Sequence, residues 1–516
     1  MKLPLVPARL VLTSLGIAIL SAANFAAAQV SQNHQPAATH LDQFALNALV
    51  QAGQNPDAFT QAFDAGSDQF SVGFNILDGI GVNVGNGETF TRIPRADLNG
   101  PGAWAQHTPP RITGPNAQSC EACHGIPFAD GSGDIASNVI RDTFRTGNIS
   151  QMIQRNTPHT FAPGAIQRLA EEMTQELHAK RDSGINQACQ TQLPVLVPLS
   201  AKGVGFGSIT INPQAGQPCQ HTVDNSQLRG VDTDLVVKPF EWKGIKPDLR
   251  TFSRNAFNNE MGLQAVELVG SGVDGDFDTV TDEITAGDVT AMAIYLAAQP
   301  RPVSKLELDT LGLLETPLTA QEKTSINTGK RLMGQTGCTS CHVPMMFIDT
   351  PIYSEPSQSP DYRDVLTPSG VNPLTLGIDP ALAITFDLTA DQPDNQIFNP
   401  VSGQLIMHLG ALERTASGRA VIRPFGDLKR HDMGSGLAES IDETGSGAST
   451  FMTENLWGVG STAPYLHDGR ATTLTEAILA HGGEALASRT AFVALSAGQQ
   501  QDMIAFLDSM ILFVNE

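Results

Sequence analysis

Apolar positions recur at helical spacing in a few short runs, separated by long stretches rich in glycine and proline. Ile166, Leu169, Met173 and Leu177 fall three or four apart, with Pro163 before them and Gly184 after, which predicts a helix over 163–182. Val289, Met292, Ile294 and Leu296 predict another over 285–298. A third, over 319–336, opens on Thr319 with Glu322 three residues on, a pattern in which each side chain satisfies the other residue's backbone N–H. Residues 474–479 read as a short helix ending at His481, and 496–512 place Met503, Ile504, Leu507 and Ile511 on one face. Shorter helices are expected near 41–51 and within 135–155. Between 190 and 250, β-branched runs alternate with Pro and Gly and predict small hairpins. Two stretches show neither period. Residues 61–119, with Phe63, Phe70, Phe74 and Phe90 among glycines, are expected to be loop. Residues 350–400 are polar, Pro-rich and expected to run over the surface.

The helices over 285–298 and 496–512 share more than a period. Each opens with a Ser/Thr-x-x-Asp/Gln pattern and carries an aromatic–Leu pair, Tyr295-Leu296 in one and Phe506-Leu507 in the other. A chain of 516 residues exceeds what one core usually supports. The echo and the Pro300-Arg-Pro302 break predict two related units, 29–302 and 303–516. Residues 1–28 read as a secretory leader, with Lys2 and Arg9, an apolar run and Ala26-Ala27-Ala28 before Gln29. That apolar run is short for a membrane span, so a periplasmic or secreted protein is expected. The formal charge of −22 argues against nucleic acid or an anionic membrane surface as partner.

Chemistry enters with Cys120-Glu-Ala-Cys123-His124 and Cys338-Thr-Ser-Cys341-His342. Cys-x-x-Cys-His is the attachment pattern of a covalent c-type haem. Two thiols at this spacing reach the two vinyl groups of one porphyrin edge, and the adjacent His supplies the proximal nitrogen. A redox dithiol or half a zinc site explains a bare Cys-x-x-Cys, but neither requires a His directly after it, twice. Two haem c groups are therefore expected, in a mainly α fold of two cytochrome c-like haem domains with long loops and a few short β hairpins. The remaining Cys189 and Cys219 are expected to form a disulfide in an oxidising compartment, free thiols being the alternative. Asp274, Asp276 and Asp278 alternate with other residues, Glu283 follows, and the Val280 carbonyl lies between. Such a set suits calcium, against the plainer reading of an acidic turn.

Further marks are Trp242-Lys-Gly, Phe257-Asn-Asn-Glu260-Met-Gly262, His431-Asp-Met433-Gly and Ala463-Pro-Tyr-Leu-His467-Asp-Gly469, the last followed by His481-Gly-Gly. In this order the chain resembles the di-haem oxidoreductases of the bacterial di-haem cytochrome c peroxidase superfamily, in the branch formerly labelled thiol oxidoreductase, over roughly 60–515. The resemblance implies that the haem on Cys120, Cys123 and His124 takes peroxide and that the haem on Cys338, Cys341 and His342 passes electrons. It implies a carboxylate near the peroxide site, matched by Glu260, although a salt-bridged structural acid explains Glu260 equally. It implies an electron relay at Trp242, which as a core indole needs no such role, and it places His467 and Arg470 near the haems. Fourteen residues past the His467 position the peroxidases carry a distal Met; this chain has His481. Imidazole favours ferric iron more than thioether does, so His481 implies a lower potential. Met433 is the rival ligand, and His159 is a candidate cover for the first haem.

Three functions follow from these expectations. The first is a peroxidase-like enzyme that reduces hydrogen peroxide with electrons from a small redox protein. The second is an oxidase or oxygenase acting on an organic or protein substrate. The third is an electron carrier without a substrate.

Overall fold

The computed structural model describes residues 35–81, 116–141, 149–214, 216, 219–276, 278–390, 393–398 and 401–513. The expected leader over 1–28 and Phe90 lie outside the described residues. Helices are joined to seven small sheets of two or three strands among the described residues. The strand content therefore exceeds the few hairpins expected.

Two helix pairs organise the molecule. Asn55–Ser71 starts with Pro56 and Asp57 in its first turn and buries Ala58, Ala62, Phe63, Gly66 and Phe70 along one stripe. It packs against Ala286–Ala297, whose N-terminus carries reciprocal bonds between Thr285 and Asp288. The pair meets at Gly66, where a Cβ would strike the Ala291 carbonyl and the Tyr295 side chain. The second pair is built the same way. Ala320–Gln335, capped by Thr319 and Glu322, packs against Ala497–Leu507, capped by Ser496 and Gln499. They meet at Gly329, where a Cβ would strike the Asp502 carbonyl and the Phe506 side chain. In each pair the glycine faces residues i and i+4 of the closing helix, the second of them the aromatic of the aromatic–Leu pair. The first helix of each pair also precedes a Cys-x-x-Cys-His segment. The expected internal echo is thus a shared packing geometry.

Several expectations need correction. The loop expected over 61–119 begins as the helix Asn55–Ser71, whose buried stripe sets the small Ala58, Ala62 and Gly66 among Phe63 and Phe70. Helices expected within 135–155 are replaced by two 3-10 turns and a strand pair, Val139–Arg141 with Ile153–Arg155. The helix at 163–182 runs on to Thr191, giving 29 residues as Pro163–Thr191. The segment over 350–400 is no surface excursion. It forms the strand pair Ile352–Glu355 with Ile384–Asp387 and contributes fully buried Tyr353 and Tyr362. The Tyr362 hydroxyl donates to the Val237 carbonyl at 2.6 Å and sits 2.8 Å from the Thr174 hydroxyl.

Strands Val195–Ala201, Val204–Gln214 and Gln220–Asp224 form the antiparallel meander expected between 190 and 250. Cys189, at the end of the long helix, is bonded to Cys219 at the foot of the last strand. The largest apolar cluster joins both sides of Pro302, with Leu169, Met292 and Tyr295 beside Ile348, Tyr353 and Phe386. A smaller cluster of Leu332, Phe425, Leu474, Phe492 and Phe506 surrounds the second Cys-x-x-Cys-His. No described helix is long and apolar enough to cross a membrane.

Candidate haem sites

Each Cys-x-x-Cys-His segment is a single helical turn. The His124 amide bonds to the Cys120 carbonyl at 2.9 Å, and the His342 amide to the Cys338 carbonyl at 3.0 Å. The four cysteines are half-buried and unbonded to one another. Burial pushes the Cys120 and Cys123 thiols up to about 12 and 11. Each segment opens onto a cavity, about 1890 Å³ of empty space at the first and about 1630 Å³ at the second, solvent mouths included.

The histidines are oriented alike. Nδ1–H of His124 donates to the Pro158 carbonyl at 2.8 Å, and Nδ1–H of His342 donates to the Phe425 carbonyl at 2.9 Å. A carbonyl can only accept, so each ring keeps Nε2 as its lone-pair nitrogen. Burial pushes both rings down to about 4, which holds them neutral, the state a metal ligand needs. His481, at the C-terminus of the helix Leu474–Ala480, donates its Nδ1–H to the Ala477 carbonyl at 2.7 Å and is lowered by burial too. Its ring centre lies 6.5 Å from that of His342. Two imidazoles sharing one metal at ~2.0 Å per bond, each with its ring centre ~1.1 Å further out, stand roughly 6.2 Å apart. The 6.5 Å between the His342 and His481 ring centres is close to that separation.

The first cavity has no matching second histidine among the described residues. His159 lines it, but its Nδ1 accepts from the Phe161 amide at 3.1 Å and its Nε2–H donates to the Trp457 carbonyl at 2.8 Å. Both nitrogens are committed, so His159 clamps a wall instead of covering a haem. Opposite stands a π-helical turn, Phe257–Met261, that presents Glu260 to the cavity. The Asn116 side-chain amide donates to Glu260 Oε2 at 2.8 Å. That hydrogen bond orients the carboxylate and is compatible with either role considered for it.

The two cavities share a wall. Asn156, Pro158, His159, Trp242, Glu454 and Trp457 line both. The Trp242 indole N–H donates to the Asn156 carbonyl at 2.9 Å, which fixes the ring there. Glu454 and Trp457 were not singled out by sequence. Glu454 is enclosed by protein yet open to the cavity space, and burial alone pushes its carboxyl up to about 7. Its only sequence signal is an acid three positions before a tryptophan.

Other expected residues fall differently. His431 lies between Asp427 at 2.9 Å and Glu484 at 2.7 Å. Burial opposes its charge, but the Asp427 and Glu484 carboxylates raise it to about 10, so both nitrogens carry protons. Met433 lines the second cavity. His467 is buried there, stacked on Phe451 at 4.1 Å and edge-on to Trp242 at 6.4 Å, and burial pushes it down to about 3. Arg470 is exposed, binds Asp468 and the Gly436 carbonyl, and is outside both walls. Asp274, Asp276 and Asp278 converge, with Glu283 buried beside them, while the Val280 amide donates to Asp278 at 2.8 Å.

Residues 407–510 match the family described as Di-haem oxidoreductase, putative peroxidase. The match holds His431, Met433, Glu454, His467 and His481 and neither Cys-x-x-Cys-His segment, and it shows over this region the resemblance read from the motifs. Among solved structures, the chain is similar to a MauG-like protein associated with microbial copper homeostasis. The identity is 16% over 58% of this chain and 78% of that one, at a TM-score of 0.26. It is also similar to hydrazine synthase of Kuenenia stuttgartiensis, at 14% identity over 82% of this chain and 96% of that one, with a TM-score of 0.29. No curated protein matches the chain.

Proposed function

We propose that this chain is a c-type di-haem oxidoreductase of the peroxidase-like kind, made of two cytochrome c-like units that share one wall. The observation that carries the reading is the asymmetry of two otherwise equivalent sites. The second site faces His342 with His481 at the width of a metal, so it suits electron transfer without substrate. The first faces His124 with a cavity whose other histidine is committed, which suits an open coordination position. Cys120 and Cys123, and Cys338 and Cys341, would form the thioethers, leaving His124 and His342 as proximal ligands.

Bound haem at the first site would supply the redox chemistry of peroxide reduction. The protein's part is positional. Asn116 holds the Glu260 carboxylate toward the first cavity, where a base can move a proton between peroxide oxygens. Trp242, fixed by the Asn156 carbonyl, spans the wall between the sites. A small redox protein is the natural electron donor, and an acidic chain favours a donor with a basic face. The Cys189–Cys219 disulfide supports an oxidising compartment and hence export.

The test is a reductive titration of purified holoprotein, read by absorption and electron paramagnetic resonance, with cyanide binding and peroxide consumption measured alongside. Two haems of distinct potential are expected, one six-coordinate with two nitrogens and one binding cyanide. Mass measurement after denaturation should retain both haems on the chain. Six-coordinate spectra from both haems in every redox state, with no peroxide turnover, would leave only an electron carrier.

A further inference from the structure

We propose that the loop from Asp274 to Glu283 is a calcium site completed by the side-chain amide oxygen of Gln264. This site lies away from both haem cavities and stands independently of the peroxidase reading. One carboxylate oxygen from each of Asp274, Asp276 and Asp278 lies within 4.8 Å of the others. Calcium binds oxygen at about 2.3–2.6 Å, so a single ion reaches across about 4.6–5.2 Å and touches all three. Backbone amides shape the loop: the Asp278 and Thr279 N–H groups donate to Asp274 at 3.2 and 3.0 Å. Glu283 is 2% exposed and Asp276 is 4% exposed, so the cluster is inside the fold.

Gln264 supplies the second, independent observation. Its side chain is 4% exposed, and its Oε1 is buried without a hydrogen-bond partner. A Cβ placed on Gly275, between Asp274 and Asp276, would strike that Oε1, so the amide oxygen points at the acidic turn. The Gln264 backbone N–H meanwhile donates to Glu283 Oε2 at 2.8 Å, which binds the two halves of the site together. A buried acceptor aimed at a carboxylate cluster is a poor arrangement without a cation and a good one with it.

The charge balance points the same way. From Asn255 to Pro300 the chain holds no Lys, Arg or His. A divalent ion would offset the converging carboxylates of Asp274, Asp276 and Asp278. Carboxylate and amide oxygens at this spread, supplied by loop and side chain, match calcium rather than the tight, water-rich octahedron of magnesium. Gln264 follows the turn Phe257–Met261 by three residues, so the ion would brace the wall that presents Glu260.

The experiment uses full-length holoprotein stripped with EDTA, titrated calorimetrically with calcium, with magnesium as control, and followed by thermal melting. Wild type should bind calcium with a rise in Tm that magnesium does not reproduce. Asp276→Asn and Gln264→Met should each weaken calcium binding at least tenfold. Asp278→Asn, at a half-buried position, serves as the second carboxylate variant if Asp276→Asn fails to fold. No calcium uptake by wild type, or undiminished uptake in the carboxylate variants, overturns the site. Undiminished uptake in Gln264→Met alone removes Gln264 from it.

Discussion

What each titratable side chain has already spent on hydrogen bonds decides what it has left for chemistry. His159, His431 and His481 stand in unrelated local contexts, and no neighbouring residue marks which of them keeps a free nitrogen. The fold separates them by partners: His159 has two, His431 is held by two carboxylates, and His481 keeps Nε2. The Cys-x-x-Cys-His histidines were legible because their role is set by adjacent residues; Glu454 was not, because its role is set by two distant walls closing on it. On the ligand reading, His481→Met should raise the potential of the second haem, since thioether favours ferrous iron. A spectroelectrochemical titration without any shift would remove His481 from the iron. A second residue-scale prediction concerns Asp248, a buried N-cap that accepts from the Thr251 amide at 2.7 Å. Burial pushes its carboxyl up to about 7 against a model-peptide value of 3.8. The unfolded chain therefore ionises first, and stability is lost as pH rises from about 4 through about 7. Asn caps as well as Asp. Asp248→Asn should leave Tm near wild type at pH 4 and raise stability by on the order of 1–2 kcal/mol at pH 8. Melting curves across that range check it, and a constant difference would refute the sign.

At the scale of elements, capped helices were read correctly wherever the cap and the first apolar residues lie in one short window. Thr319 with Glu322, Thr285 with Asp288 and Ser496 with Gln499 all form the expected reciprocal bonds. The helix Asn55–Ser71 escapes the pattern because three of its contact positions, Ala58, Ala62 and Gly66, carry little hydrophobic signal between Phe63 and Phe70. Small residues are what let two backbones approach, so close crossings are the elements that pattern reading loses. Gly329→Ala should therefore cost about 1–3 kcal/mol by overpacking against Asp502 and Phe506. Gly498→Ala, in the same helix pair but with open space around it, should be neutral or stabilising by up to about 1 kcal/mol. Equal effects of the two substitutions, measured by chemical denaturation, would show that overpacking at Gly329 does not set the difference. The disulfide belongs to this scale as well. It closes a loop of 30 residues between the long helix and the meander. Replacing both cysteines by serine should cost about 3–4 kcal/mol through the entropy of that loop.

Over the whole molecule, the chain does not part at Pro302 as its proline break led one to expect. Residues 343–428 return across that break and enter the larger core with Ile348, Tyr353, Tyr362 and Phe386. Sequence period could not show this, because the strands there are three or four residues long and pack on helices remote in the chain, Asn55–Ser71, Pro163–Thr191 and Ala286–Ala297. The return is also tied electrostatically. Arg250 bonds Glu267 at 2.6 Å and Glu355 at 2.8 Å, and Arg254 bonds Glu267 at 3.1 Å and Asp364 at 2.6 Å. Arg250, Glu267 and Glu355 are each 5% exposed or less. Removing Arg250 strands the buried Glu355 and leaves Glu267 to Arg254 alone, so Arg250→Met should cost about 3–5 kcal/mol. A loss below about 1 kcal/mol would mean the segment is held by apolar contact alone. The same architecture predicts the outcome of cutting the chain. A protease site inserted into the exposed turn at 315–317 should yield two fragments that stay together under native conditions. Residues 343–428 would hold the C-terminal fragment on the N-terminal core even though the backbone is broken at the expected boundary. If the fragments separated on size-exclusion chromatography without denaturant, the shared core would be too weak to keep the two cavities on one wall.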